Sequence, residues 1–149
     1  MFVDAYLEGD KSTSSSQTGV LIFINKAPIH WYIKRQETFE VINFGAEFCT
    51  MKAGVEMVEA LSNKLIMFGV PIYGSDKMFC DNEAIYKNNI TLKSVVNNKN
   101  HSTAYHRCRD AVYANAIRVS KQVTENNLSY LLTNMMTTLS RSFLLDKLT

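Results

Sequence analysis

Apolar positions change their spacing along this chain, and each change marks a new element. Phe2 to Leu7 alternates loosely, as a short half-buried strand does. Thr18 to Asn25 is a run rich in Val, Ile and Phe and predicts a second strand. Lys26-Ala27-Pro28 reads as a turn, and Ile29 to Arg35 as a third strand, so the two strands should form an antiparallel hairpin. Pro28 has no donor for a sheet ladder and belongs at a strand start or a sheet edge. After this hairpin the period lengthens. Phe44, Phe48, Met51, Val55, Val58, Leu61 and Leu65 recur at spacings of three and four. They predict an amphipathic helix of about five to six turns, stopped by Gly69 and Pro71.

Shorter elements follow. Lys77 to Asp81 predicts a strand and Asn82 to Asn88 a short helix. The Asn-rich stretch from Asn88 to Asn100 and the polar run Ser12 to Ser16 read as loops. Thr103 to Ala114 predicts a helix, Ile117 to Val123 a strand and Leu128 to Met136 a last helix. Residues 1–136 form one expected domain. Residues 137–149 form a C-terminal tail to which the pattern assigns no structure. The order βββ-α-β-α-α-β-α calls for an α/β fold with an antiparallel front and parallel strands after the first crossover.

Composition narrows the class. Apolar residues make up 46% and charged residues 20% of 149, which excludes wholesale disorder. A net charge of +2 neither requires nor excludes a nucleic-acid partner, because a basic face can hide in a near-neutral total. Cys49, Cys80 and Cys108 are odd in number and far apart, which argues against a disulfide framework and against a zinc site. There is no apolar run long enough to span a membrane and no signal peptide, so a soluble intracellular protein is expected.

Three acids sit at telling places. Asp4 lies inside the first strand, Glu47 in the first turn expected of the long helix, and Asp81 at the end of the fourth strand. If the first and fourth strands are parallel neighbours, all three carboxylates converge. Clustered like charges raise one another's pKa. A hard divalent cation removes that penalty and takes oxygen ligands. Each acid also has a plainer reading: a strand-end charge for Asp4, a helix-dipole partner for Glu47, an N-cap for Asp81. Asp4 is the hardest to dismiss, since an unpaired carboxylate within a strand is costly to bury.

The words around these acids resemble a known family. Val3-Asp4-Ala5, Ser16-Gln17-Thr18-Gly19, Ile29 to Gln36, Phe44-Gly45-Ala46-Glu47-Phe48 and Phe79-Cys80-Asp81-Asn82 follow the order seen in the ribonuclease H domain of copia-type retrotransposon polyproteins. Tyr105 to Asp110 and Ile117-Arg118-Val119 continue the match. The resemblance implies an RNase H-like five-stranded mixed sheet of order 3-2-1-4-5 with flanking helices. It further implies magnesium, or manganese, held by Asp4, Glu47 and Asp81 as the catalytic acids. The implied reaction is cleavage of the RNA strand of an RNA–DNA hybrid. The implied setting is a polyprotein with a reverse transcriptase domain upstream, acting in a cytoplasmic virus-like particle or the nucleus. With only three residues before Asp4, the chain is expected to be an excised or decayed piece of such a polyprotein. The family's fourth acid is replaced. In the run Asn127-Leu128-Ser129-Tyr130-Leu131-Leu132-Thr133-Asn134, Tyr130 stands at the aspartate position, which implies weakened activity.

Lys34 and Arg35 close a strand, and His106, Arg107 and Arg109 lie on a helix. Both clusters are candidate phosphate contacts, against the plainer reading of solvated charge. Trp31 and Tyr32 are expected to split between the core and the outer face of their strand. Two functions compete: a metal-dependent, hybrid-specific ribonuclease, and a non-catalytic nucleic-acid-binding remnant of the same fold. A DNA-cutting nuclease of the wider superfamily has the carboxylates in its favour but not the surrounding words.

Overall fold

The computed structural model describes residues 1–7, 16–36, 43–90, 99–134 and 136–148. Five strands form one sheet: β1 (Phe2–Leu7), β2 (Ser16–Ile24), β3 (Ala27–Arg35), β4 (Asp76–Cys80) and β5 (Ile117–Lys121). Their spatial order is β3-β2-β1-β4-β5. The first three strands pair antiparallel, whereas β1 with β4 and β4 with β5 pair parallel. This is the expected mixed sheet, with its switch from antiparallel to parallel at β1.

Two layers of unequal size cover the sheet. On one face pack α1 (Asn43–Met67), α2 (Glu83–Ile90) and α3 (Lys99–Tyr113). They close the main core, in which Val3, Val20, Phe48, Met51, Val55 and Met78 are almost wholly buried. The 3.6-residue period of α1 predicts this contact, since one stripe of the helix meets the inward residues of β1 and β2. Gly54 of α1 allows the approach: a Cβ there would lie 2.9 Å from Val3 Cγ1. On the other face lie α4 (Tyr130–Thr133) and α5 (Thr138–Asp146). Here the buried apolar cluster among the described residues is Leu21, Leu128 and Leu144, with Phe2, Phe23, Tyr130 and Leu131 among its partly buried neighbours.

Several boundaries differ from the sequence expectation. The hairpin turns at Asn25 and Lys26, one step earlier than expected. Asn25 takes φ +55°, a left-handed conformation that Asn tolerates. Pro28 therefore falls inside β3, an edge strand, where a register shift opposite Ile22 and Phe23 absorbs its missing donor. Helix α3 begins at Lys99, ahead of Thr103, and β5 stops at Lys121 rather than Val123. The expected helix from Leu128 to Met136 shrinks to the single turn α4. Asn127 accounts for its late start: its Oδ1 accepts from the amide and hydroxyl of Ser129, a local alternative to helical bonding. The tail, left without an element, folds as α5, capped by Thr137 and docked through Leu144. The loop readings at Ser12–Ser16 and Asn88–Asn100 fall largely outside the described residues, which omit 8–15 and 91–98.

Trp31 is 66% exposed, with Ile29 and Ile33 exposed beside it, while Tyr32 packs against the main core. The two aromatic rings thus split between the faces of β3, as alternation requires.

Gly19 of β2 pairs directly with Asp4 of β1. A Cβ at position 19 would meet Thr133 Cγ2 at 2.4 Å and Ser129 O at 3.3 Å. The bare backbone of Gly19 is what lets α4 rest on the sheet beside Asp4. Gly19→Ala is expected to cost about 2 kcal/mol of stability, in the usual range for overpacking. Urea denaturation of the two proteins measures the difference.

Candidate metal centre

The sheet brings Asp4 and Asp81 together by register. Phe2 pairs with Phe79 across β1 and β4, so two residues further on Asp4 is level with Asp81. Val3 faces the main core, which turns Phe2 and Asp4 to the opposite face; the Phe2 and Phe79 rings stack there at 4.9 Å. Glu47 reaches the same place from α1. It lies in the second turn of that helix, not the first, because α1 begins at Asn43. A helix-dipole role for Glu47 is correspondingly weak. Carboxylate oxygens of Asp4, Glu47 and Asp81 all lie within 4.8 Å of one another.

Each acid is held by a neighbour. Thr133 Oγ1 and Asn134 Nδ2 both donate to Asp4 Oδ2, the latter at 3.1 Å. Thr124 Oγ1 donates to Asp81 Oδ2 at 3.0 Å. Asn82 donates to Glu47, while its Oδ1 accepts from the amides of Ala84 and Ile85 and so caps α2. The N-cap is therefore Asn82, which leaves Asp81 for the cluster. Gln36 pins the start of α1 to the sheet: its Nε2 donates to Thr18 Oγ1, Ala46 O and Thr50 Oγ1 at 2.9, 3.0 and 3.2 Å. Glu47 is thus carried on a helix end fixed to β2 and β3.

Burial and the charge of neighbouring acids push the carboxyls of Asp4 and Glu47 above their ordinary range. Asp4 is 3% exposed, and its pKa is raised to about 6, by burial first and then by Asp81, against the opposing bonds from Thr133, Ala5 and Asn134. Glu47 is raised to about 8 by burial and by the charges of Asp81 and Asp4. A cluster that resists ionisation when alone has the chemistry of a hard-cation site, because three oxygen donors lose their mutual repulsion when they share a divalent ion. The donor set fits magnesium or manganese. Cys80, next to Asp81, packs in the main core, and burial and the charges of Glu47 and Asp81 push its thiol up to about 12.

The basic candidates lie at the end of β3 and on α3, where the sequence expectation puts them. Lys34 and Arg35 lie at the end of β3, lining a shallow depression with Gln36 and Cys49. Arg107 is spent on Glu59 of α1. Arg109 donates to the hydroxyls of Tyr105 and Tyr113 and lies over both rings, each at 5.1 Å. The ring of His106 packs edge-on to Tyr105. Arg107 thus ties α3 to α1, whereas Arg109 bonds within α3. Tyr130 packs with Leu21, Leu128 and Leu144. Among the described residues, the side chains that donate to Asp4 are Thr133 and Asn134. Sequence reasoning gave a site role to neither of them, nor to Asn82 and Thr124. Only Asn82 carried a signal, as a capping residue directly before a helical segment.

No protein-family model matches this sequence, and no curated protein matches it. A solved structure does: ribonuclease H1 from the halophilic archaeon Halobacterium salinarum NRC-1, with a TM-score of 0.59 at 13% identity, over 84% of this chain and 85% of that one. The fold is ribonuclease H-like, and it carries an acidic cluster of Asp4, Glu47 and Asp81. No helix among the described residues is long and apolar enough to cross a membrane.

Proposed function

We propose that this chain is a divalent-metal-dependent nuclease domain that cuts the RNA strand of RNA–DNA hybrids and derives from a copia-type retrotransposon polyprotein. The observation that carries the proposal is the convergence of three carboxylates within 4.8 Å on a ribonuclease H-like sheet. The copia ancestry rests on the ordered words of the sequence, and with it an upstream reverse transcriptase as partner. In this reading Asp4, Glu47 and Asp81 hold magnesium. The bound ion would polarise the scissile phosphate and stabilise charge on the leaving oxygen.

The chain's own residues do the rest. Asp4 and Asp81 are fixed by strand register, and Glu47 by the Gln36 anchor, so the ligands need little reorganisation before binding. Lys34 and Arg35 approach the phosphate backbone of the hybrid, with His106 as a further contact. Arg107, paired with Glu59, and Arg109, bonded to Tyr105 and Tyr113, are candidate contacts as well. Discrimination of the hybrid rests on its groove shape and on the 2′-hydroxyls of one strand.

A labelled RNA–DNA hybrid incubated with the protein and magnesium is expected to be cut in the RNA strand, and Asp81→Asn to abolish the cutting. Binding without cutting, at any magnesium concentration, would favour the second reading, a hybrid-binding module. The neutral Thr133 and Asn134 beside Asp4 support that second reading. Cutting of duplex DNA with the hybrid left intact would refute both.

A further inference from the structure

We infer that the centre is built for one divalent ion, and that Asn134, not Tyr130, holds the place at which a further carboxylate would create a second. The inference rests on the reading of Asp4, Glu47 and Asp81 as metal ligands. It starts from the two sides of Asp4. On one side stand Glu47 and Asp81, whose oxygens share a sphere of 4.8 Å with Asp4. On the other stands α4, from which the Thr133 hydroxyl and the Asn134 amide both donate to Oδ2. Those two groups point hydrogens, not lone pairs, at the carboxylate. Asn134 Nδ2 donates to Thr133 Oγ1 as well, at 2.9 Å, so the three side chains form one closed set of bonds.

A pair of ions about 3.5–4 Å apart needs a ligand oxygen between them and further oxygens on both flanks. Here one flank is supplied by acids and the other by neutral donors. An ion on the α4 flank would face an amide nitrogen and a hydroxyl hydrogen and would have to break three hydrogen bonds to enter. It would also bring a second double charge to a cluster with three acids among the described residues. Each step is unfavourable, so the flank stays closed and a single ion sits on the acidic side.

Position matters as much as charge. Tyr130 is turned into the apolar cluster with Leu21, Leu128 and Leu144. An aspartate there would put a carboxylate among leucines. Asn134 already has a side-chain nitrogen 3.1 Å from Asp4 Oδ2. Asn134→Asp replaces that donor with an oxygen at the same reach and with almost no change in volume.

Isothermal titration calorimetry of the whole chain with Mn2+ tests the inference, with electron paramagnetic resonance of the loaded protein to detect a spin-coupled ion pair. Wild type is expected to bind one ion per chain, Asn134→Asp two with a coupled-pair signal, and Tyr130→Asp one. Asn134→Glu gives a second carboxylate from the same residue if the aspartate variant fails to fold, and circular dichroism checks the fold of each. Two ions in wild type would overturn the inference, as would a second ion gained by Tyr130→Asp. One ion in wild type and in both Asn134 variants overturns it too, while leaving the nuclease reading in place. No ion in any of the proteins would overturn both.

Discussion

Asp4→Asn is expected to leave a folded protein whose magnesium-dependent hybrid cleavage falls by about a thousandfold, a loss typical of removing one preorganised electrostatic group. Asp4 sits on the central strand of the sheet and is buried at 3% exposure, so no other side chain can move into its place. The amide oxygen of asparagine still accepts from Thr133 and Asn134, which keeps α4 seated. What is lost is the charge that a divalent ion needs. Single-turnover cleavage under saturating protein separates this loss from weaker substrate binding. A variant that retained a tenth of the wild-type rate would mean that Asp4 is not a ligand.

Glu47→Gln is expected to stabilise the metal-free protein at pH 8 by about 2 kcal/mol, or roughly 5 °C in Tm. Its carboxyl is raised to about 8 in the folded protein from an ordinary value of 4.5. Between those values the folded state binds more protons than the unfolded one, so wild-type stability falls as pH rises through the window. Below pH 4.5 the penalty vanishes and the two proteins should melt together. Above pH 8 it is fully developed and the gap should be widest. Magnesium should raise the wild-type Tm at pH 8 more than it raises that of the variant, because the ion removes the same repulsion. Differential scanning calorimetry across pH 4 to 9, with and without magnesium, reads both effects. Equal melting at every pH would mean that Glu47 carries no strain.

Much of this arrangement was legible because it is written in local periods. The alternation in β1 and the Val- and Ile-rich run of β2 identify strands without reference to the rest of the chain. The three-and-four spacing from Phe48 to Leu65 identifies α1 in the same way. The order of the strands is not local, and it came from resemblance in the words around Asp4, Glu47 and Asp81. Their convergence is a matter of register, through the pairing of Phe2 with Phe79. What the sequence hid was the role of isolated polar residues. Thr133, Asn134 and Thr124 have no spacing that marks them, and each acquires its partner only when distant segments meet. Gly19 stands within a predicted strand, where a glycine is a sign that something approaches closely. The last helix was overdrawn because Asn127 competes for the backbone with bonds of its own.

The two sides of the sheet are fastened with very different strength. Glu47 and Asp81 are mounted on elements that enclose the main core, whereas the donors to Asp4 ride on a single helical turn. That turn is tethered by Asn127 Nδ2 to Val3 O and by three buried leucines. A layer so lightly attached opens before the molecule as a whole unfolds. Amide hydrogens of Leu131 to Asn134 should therefore exchange in mild denaturant while those of β1 and β4 remain protected. In that partly opened form Asp4 meets water, sheds its two donors and becomes a conventional surface acid. Heat or urea would then alter the local chemistry of the centre well before it abolished the fold.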